Sequence, residues 1–158
     1  ANNFGNLCQR VSAFVEKNCK NKIPENFKFN SEDLDILNKY SSNLNLIRNE
    51  IDQQNINFYI DYVVNCMFEA NKYFNDQEPW KKKDDLLRLN TIVYTTLEII
   101  RKISFMLFPI IPETILKTLE MFNLNEKDIS LSSLKEHNYL KSGIEIKKIG
   151  ILFKKIEK

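Results

Sequence analysis

The residues from 56 to 74 carry the feature that most constrains the fold. Apolar side chains recur there at intervals of four, three, four, three and four residues. They are Ile56, Ile60, Val63, Met67, Ala70 and Phe74. This spacing places them on one helical face, because an α-helix turns once every ~3.6 residues. Asn55 precedes the stripe and is its predicted N-cap. An amphipathic helix of this length buries its apolar face against other elements, which favours a helical fold.

The same periodicity predicts further helices before and after this one. They run over residues 3–19, 31–53, 82–108 and 112–121, with a helical turn near 131–137. Pro109 and Pro112 end the long fourth helix, and Pro112 suits the first position of the next helix. With only four prolines and three glycines, long stretches of the chain are free of helix breakers. We therefore predict an all-α, antiparallel bundle of four to five main helices.

The bundle is predicted to be a single domain over residues 1–158 that ends in an apolar and basic tail, residues 143–158. Asn30 is expected to cap the second helix in a capping box with Asp33, with Phe29 packed on Leu34 as a hydrophobic staple. The inward face predicted for the first helix consists of Phe4, Leu7, Val11 and Phe14. That of the second helix consists of Leu34, Leu37, Tyr40, Leu44, Ile47 and Ile51. That of the fourth helix consists of Leu86, Leu89, Val93, Leu97, Ile100, Ile103 and Leu107.

The sequence carries no recognisable motif for bond chemistry. It has no P-loop, no dinucleotide fingerprint and no nucleophile elbow. The one histidine, His137, is predicted to be an exposed loop residue, and without a Glu-x-x-His pair a metal bundle is not expected. We therefore expect a binding function, with no catalytic residue and no metal.

Charge alone does not identify the partner. The formal net charge of +2 is too small to imply nucleic-acid binding and too small to exclude it. Basic side chains nevertheless cluster at Lys81, Lys82 and Lys83, and again at the C-terminus. The C-terminal cluster consists of Lys147, Lys148, Lys154, Lys155 and Lys158. Solvated surface is the plain interpretation of either cluster.

The cysteines and the termini suggest a cytoplasmic piece of a longer chain. Cys8, Cys19 and Cys66 are odd in number and lack metal-ligand spacing, as expected of reduced thiols. No signal peptide is recognisable, and no apolar run approaches the ~20 residues that span a bilayer. The chain begins at Ala1 and enters the helical pattern at once, which we interpret as an excised fragment.

Two short strings carry a family resemblance. The first is Asn-Phe-Gly-Asn-Leu-Cys-Gln-Arg-Val at residues 3–11, and the second is Phe-Asn-Asp-Gln-Glu-Pro-Trp at residues 74–80. In this order on a helical bundle, they resemble the anticodon-binding domain of methionyl-tRNA synthetases. Residues 143–146 and 150–153 are similar to the closing segment of that family. The closing Pro-Arg-Ile of the family reads Lys-Lys-Ile at residues 154–156.

The resemblance implies the C-terminal anticodon-binding domain of a class I aminoacyl-tRNA synthetase. The catalytic domain of such an enzyme activates methionine with ATP, and its H-I-G-H-like and K-M-S-K-S-like motifs are absent here. That domain is therefore expected upstream in the same chain, and no cofactor is expected in this fragment. The implied partner is the anticodon stem-loop of a tRNA with the anticodon CAU, and neither DNA nor a membrane is expected as a partner. The family residues carried over by position are Asn6, Arg10 and Trp80.

The residue types suit that role. Asn6 and Arg10 lie about 40° apart around one helix, beside its apolar stripe rather than within it. They can point outwards together, where Arg offers a planar fork of donors and Asn offers a donor and an acceptor to base edges. A surface residue and a surface ion pair are the alternatives for these two positions.

Trp80 is the one tryptophan and lies at a helix junction between Pro79 and the lysines 81–83. Pro79 fixes its own φ and is expected to bias Glu78 to an extended conformation, so we expect an aimed, exposed indole that stacks on an anticodon base. Lys81, Lys82 and Lys83 are then placed to meet neighbouring phosphates. The alternative is a ring that closes one end of the core.

Two other functions remain as alternatives. One is the anticodon-binding bundle of another class I synthetase, for cysteine, isoleucine, valine or leucine. The other is a helical protein-interaction module without an RNA role, which would show no salt-dependent binding of an anticodon stem-loop.

Overall fold

The computed structural model describes residues 2–148 and residue 152. Within these residues there are seven α-helices and no strand. They are α1 (Asn2–Asn18), α2 (Ser31–Ser42), α3 (Leu44–Asp52), α4 (Ile56–Gln77), α5 (Leu86–Leu107), α6 (Pro112–Glu120) and α7 (Leu131–Lys135). The 3₁₀ turns Pro79–Lys81 and Glu126–Asp128 lie between them. The predicted all-α fold class is confirmed.

Helix α5 is the centre of the bundle. It packs against α1, α2, α4 and α6, and every residue from Thr91 to Leu107 is buried. Helices α4 and α5 run antiparallel, because Tyr59 near the start of α4 donates to the carbonyl of Met106 near the end of α5. Helix α1 packs beside the second half of α4, where Asn3 lies beside Asn71, Arg10 beside Asn75 and Phe14 beside Phe74.

The predicted single helix over residues 31–53 is wrong, because two helices meet at Asn43. Before the break, the hydroxyl groups of Ser41 and Ser42 donate to backbone carbonyls three residues earlier. Such side-chain bonds compete with helix propagation. Leu34 and Ile51, which were predicted to face inwards, are 37% and 39% exposed. The remaining buried members of the stripe are Leu37, Tyr40 and Ile47.

The predicted caps are confirmed. Asn30 and Asp33 form a reciprocal capping box at 2.9 Å each, and the side chain of Asn55 accepts from the amide of Phe58 at 3.4 Å. Pro112 is the first residue of α6.

The predicted apolar stripes are too long at their N-terminal ends. Ile56 and Ile60, in the first two turns of α4, are 49% and 40% exposed. Leu86 is 65% exposed, because α5 begins there, after an N-cap at Asp85, rather than near residue 82.

The start of the tail lies against the loop that follows α1. Ile23 donates its amide to the carbonyl of Ile144 at 2.9 Å and accepts from Gly143 at 2.8 Å. Gly143 has a φ of +79°, which favours glycine. Ile146 is buried. Residues 150–153 and 154–156, which carry part of the family resemblance, lie outside the described residues except for Leu152.

Three charged residues of α5 are fully buried and hold the C-terminal segment. Arg101 donates to the carboxylate of Glu98 at 2.6 Å and to the carbonyls of Ser133 and Glu136 at 2.9 Å. Lys102 donates to the carbonyl of Leu134. These cations occupy the C-terminal end of α7, where carbonyl groups lack helical partners.

His137 is half-buried rather than exposed as predicted. Its Nε2 lies 2.8 Å from Oδ1 of Asn38, and burial lowers the pKa of the imidazole.

The three cysteines are free thiols, as predicted. Burial raises the pKa of Cys19 to about 11 and that of Cys66 to about 12, so both are protonated at neutral pH.

Candidate nucleic-acid interface

The two strings singled out in the sequence come together at one end of the α1–α4 pair. Arg10 is exposed on α1, and its Nη2 donates to Oδ1 of Asn75 on α4 at 2.6 Å. The guanidinium carbon lies 5.5 Å from the centroid of the Phe74 ring. Both contacts come from the last turns of α4, so Arg10 is directed towards the turn that follows that helix.

The turn that carries Trp80 is set by a left-handed residue. Glu78 adopts φ 45° and ψ 58°, and its amide donates to the carbonyl of Asn75 at 3.3 Å. Pro79 is buried and begins the 3₁₀ turn Pro79–Lys81. Glu78 is therefore left-handed rather than extended as predicted, because it forms the C-cap that ends α4. Pro79 fixes its own φ, which limits the directions in which the Trp80 ring can point.

Trp80 is neither free in solvent nor enclosed in the core. Its ring meets the Phe74 ring at 6.0 Å between centroids and at 73°, an edge-to-face contact. The residue remains 40% exposed. The indole is therefore anchored on one side and open to a ligand on another.

Phe74 is the shared support of this site. It is 2% exposed, and it also meets Phe14 at 5.9 Å between centroids. The sequence pattern identified Phe74 only as a core residue, because its position on the apolar stripe does not reveal what lies above it. The structure adds Phe74 and Asn75 to the predicted site.

Asn6 is exposed on α1, one turn before Arg10. Among residues 2–148 its side chain makes no hydrogen bond. Asn6 and Arg10 thus lie on neighbouring parts of one surface, but the structure does not join them by a contact.

The three lysines differ in their surroundings. Lys81 forms an ion pair with Glu78 at 2.8 Å, and both side chains are largely exposed. Lys82 and Lys83 are exposed at the start of the link to α5. A surface ion pair of this kind contributes only ~0–1 kcal/mol, so Lys81 remains available to another anion.

A buried ionic network joins the last turns of α4 to α2 and α5. Asp33 is fully buried and accepts two hydrogen bonds from Arg88, at 2.6 and 3.0 Å. Tyr73 also donates to Asp33, and Gln77 accepts from Arg88. Burial and the hydrogen bond to Asp33 raise the pKa of Tyr73 well above its ordinary value. The sequence indicated Asp33 only as part of a helix cap.

In the described part of the chain, no group of three or more His, Cys, Asp or Glu side chains could hold a metal ion. In the same residues, no helix is long and apolar enough to cross a membrane.

The fold matches methionyl-tRNA synthetases of known structure. A Mycobacterium tuberculosis enzyme bound by methionyl-adenylate aligns with a TM-score of 0.87 and 26% identity, over 98% of this chain and 31% of that one. Its free form aligns with a TM-score of 0.89 at the same identity, over 100% of this chain and 32% of that one. Helix α1, with Asn6 and Arg10, is thus covered by the alignment with the free form.

Sequence comparison gives the family. Residues 23–158 match the family model described as the anticodon-binding domain of methionyl tRNA ligase. The chain therefore belongs to the family of anticodon-binding domains of methionyl-tRNA ligases, and not to the bundles of the other class I synthetases considered above.

The matching full-length relatives are much longer than this chain. The methionine–tRNA ligase of Brucella suis is 35% identical over 122 residues, which are 77% of this chain and 24% of that protein. The Rickettsia felis enzyme is 31% identical over 163 aligned residues, 99% of this chain and 31% of that protein. The chain thus spans about a quarter to a third of the curated relatives it matches.

Proposed function

We propose that this domain recognises the CAU anticodon of a methionine tRNA as part of a longer methionine–tRNA ligase. The observation that carries the proposal is the shared contact of Arg10 and Trp80 with Phe74. A donor fork and a partly open aromatic ring thus rest on the same core residue at the surface, in a chain of the anticodon-binding family.

Trp80 supplies a stacking surface for an unstacked base. Single-stranded RNA loops are recognised largely by stacking on aromatic rings and by hydrogen bonds to base edges. One such stack contributes ~1–3 kcal/mol. The edge-to-face contact with Phe74 holds the indole while leaving part of it exposed, so little ordering is needed when the base arrives.

Arg10 and Asn6 supply the hydrogen bonds that distinguish bases. A guanidinium fork matches two adjacent acceptors, and among the bases of CAU only cytosine presents two adjacent acceptors, N3 and O2, on its pairing edge. Asn6 adds an amide with both a donor and an acceptor. Lys81, Lys82 and Lys83 lie beside Trp80 and would neutralise the phosphates of the loop.

The activity of the whole enzyme belongs to parts outside this chain. In the proposed parent, a catalytic domain of the same polypeptide activates methionine with ATP and transfers it to the bound tRNA in the cytoplasm. The 158 residues carry no nucleotide-binding motif. Methionine-dependent pyrophosphate exchange by this chain alone would contradict the assignment of catalysis to another domain.

A titration with anticodon stem-loops tests the proposed function. The chain should bind a CAU stem-loop more tightly than loops with one anticodon base replaced, with the largest loss when the cytosine is changed. The affinity for all loops should fall as salt rises, because phosphate contacts release counterions. Equal affinity for every loop would contradict anticodon recognition. Absence of salt-dependent binding would instead favour a protein-interaction module.

A further inference from the structure

Arg10 is exposed, yet its side chain is held in one place by α4. The amide oxygen of Asn75 accepts from Nη2 at 2.6 Å, and the ring of Phe74 lies beneath the guanidinium at 5.5 Å. A free surface arginine samples many rotamers and loses them when it binds. The contact with Asn75 removes part of that loss before any ligand arrives.

We propose that Asn75 is a positioning residue for anticodon recognition, which orients the Arg10 guanidinium towards the base it contacts. This inference rests on the proposed function, in which Arg10 meets the RNA. A guanidinium has five N–H donors, and Asn75 engages Nη2 only. The remaining donors stay available for a base edge.

Asn75 also connects Arg10 to the turn that presents Trp80. Its side chain holds Arg10, and its carbonyl accepts the amide of Glu78, the left-handed residue that opens the turn. One residue at the end of α4 thus contacts both the donor fork and the turn that carries the stacking ring. Such preorganisation strengthens binding by lowering the ordering cost.

The neutral amide suits this role better than a carboxylate. Asp at position 75 would still hold Arg10, but it would cancel the guanidinium charge beside the RNA phosphates. We therefore expect Asn75→Asp to weaken binding most at low salt, where phosphate attraction is strongest. Asn75→Ala, which leaves the charge unchanged, should shift affinity equally at every salt concentration.

A second asparagine pair provides the matched control. Asn71 donates to the side chain of Asn3 at 2.8 Å and to its carbonyl at 3.2 Å, so it also joins α4 to α1. It lies one turn further from Arg10 and is partly buried. Asn71→Ala should lower the melting temperature while leaving stem-loop affinity within about twofold of the parent.

The test is a double-mutant cycle between Asn75→Ala and Arg10→Ala, read by affinity for a CAU stem-loop. Asn75→Ala alone should weaken binding roughly 3–10-fold, the cost of ordering one side chain. In the Arg10→Ala background it should have no further effect. The melting temperature of Asn75→Ala should stay close to that of the parent chain.

Each other outcome overturns the positioning role. An equal loss in both backgrounds means that Asn75 contacts RNA independently of Arg10, and unchanged affinity means that Arg10 needs no positioning. A loss of affinity in Asn75→Ala that comes with a fall in melting temperature, and that Asn71→Ala shows to the same extent, makes Asn75 structural. If the parent chain binds the CAU loop no more tightly than loops with a replaced anticodon base, the proposed function fails. If it discriminates between the loops but Asn75→Ala or Arg10→Ala leaves its affinity unchanged, the proposed function stands and this inference falls.

Discussion

Arg10 and Trp80, which are far apart in the chain, contact the same aromatic ring: the guanidinium of Arg10 lies 5.5 Å from the centroid of Phe74, and the indole of Trp80 meets the ring at 6.0 Å. Helix α1 supplies the first group and the turn after α4 supplies the second. Phe74 is buried and packs against Phe14, so both exposed groups are supported by the core. The site can therefore lose a surface contact without losing the fold.

Arg10→Ala should weaken binding of a CAU stem-loop by ~1–3 kcal/mol, by analogy with the loss of a bidentate base contact. Because Arg10 is exposed, the free energy of unfolding should change by less than about 1 kcal/mol. Asn6→Ala should act in the same direction with a smaller effect. Stem-loop titration beside thermal denaturation checks both quantities. Unchanged affinity with a large fall in melting temperature would make Arg10 structural.

Trp80→Ala should separate binding from folding in the same way. Loss of the stack should cost ~1–3 kcal/mol of binding. The ring is 40% exposed, so its removal should cost clearly less than the ~3–5 kcal/mol of a fully buried aromatic. Trp80→Phe keeps a stacking ring and should retain part of the affinity. A variant that binds normally but melts as if a core residue were lost would contradict the stacking role.

The ionic pair beneath the site should be essential to the fold. Arg88→Met leaves the carboxylate of Asp33, which is fully buried, without its cationic partner. Breaking such a pair costs ~3–5 kcal/mol. The exposed pair of Arg48 and Asp52 at 3.9 Å is the control, and Arg48→Met should cost under about 0.5 kcal/mol. Equal effects of the two substitutions on denaturant unfolding would contradict the stabilising role of the buried pair.

Burial of Lys102 should make stability depend on pH in a defined window. Desolvation, reinforced by Arg101, lowers the pKa of Lys102 from 10.5 to about 7, against the opposing carboxylates of Glu98 and Glu136. Between these values the unfolded chain binds a proton that the folded chain does not, so the stability contribution of Lys102 rises with pH. Below about pH 7 both states are protonated and the contribution is constant.

The measurement is the difference in unfolding free energy between the parent chain and Lys102→Met across pH 6 to 10. Ionisable groups that do not interact with Lys102 cancel in this difference. Above pH 7, the free energy of unfolding of the parent minus that of the variant should rise by at most about 1.4 kcal/mol per pH unit. A difference that is flat with pH would show that Lys102 keeps its ordinary pKa, and one that falls as pH rises would show that folding raises it.

Local sequence signals predicted most of the helices because each depends on nearby residues. The stripe up to Phe74, the caps at Asn30 and Asn55, and the proline at the start of α6 are all local features. The break at Asn43 was missed, because apolar spacing continues across it while serine side chains interrupt the helix. The pattern therefore gives the face of a helix more reliably than its continuity.

Contacts between distant segments were not accessible from the sequence. Glu98, Arg101 and Lys102 would be assigned to a solvated face by their charge, yet all three are buried against the segment 133–140. In the site, the family resemblance indicated Arg10 and Trp80. It did not indicate Asn75, whose role depends on a hydrogen bond between two helices.

The fluorescence of Trp80 during titration with a CAU stem-loop tests the central claim most directly, because Trp80 is the only tryptophan in the chain. We predict emission typical of a partly exposed indole in the free protein, with quenching or a spectral shift that saturates as the CAU loop binds. A loop with the cytosine replaced should produce the same change only at higher concentration. Emission that is blue-shifted in the free protein and indifferent to a stem-loop that demonstrably binds would contradict the assignment of Trp80 to the anticodon interface.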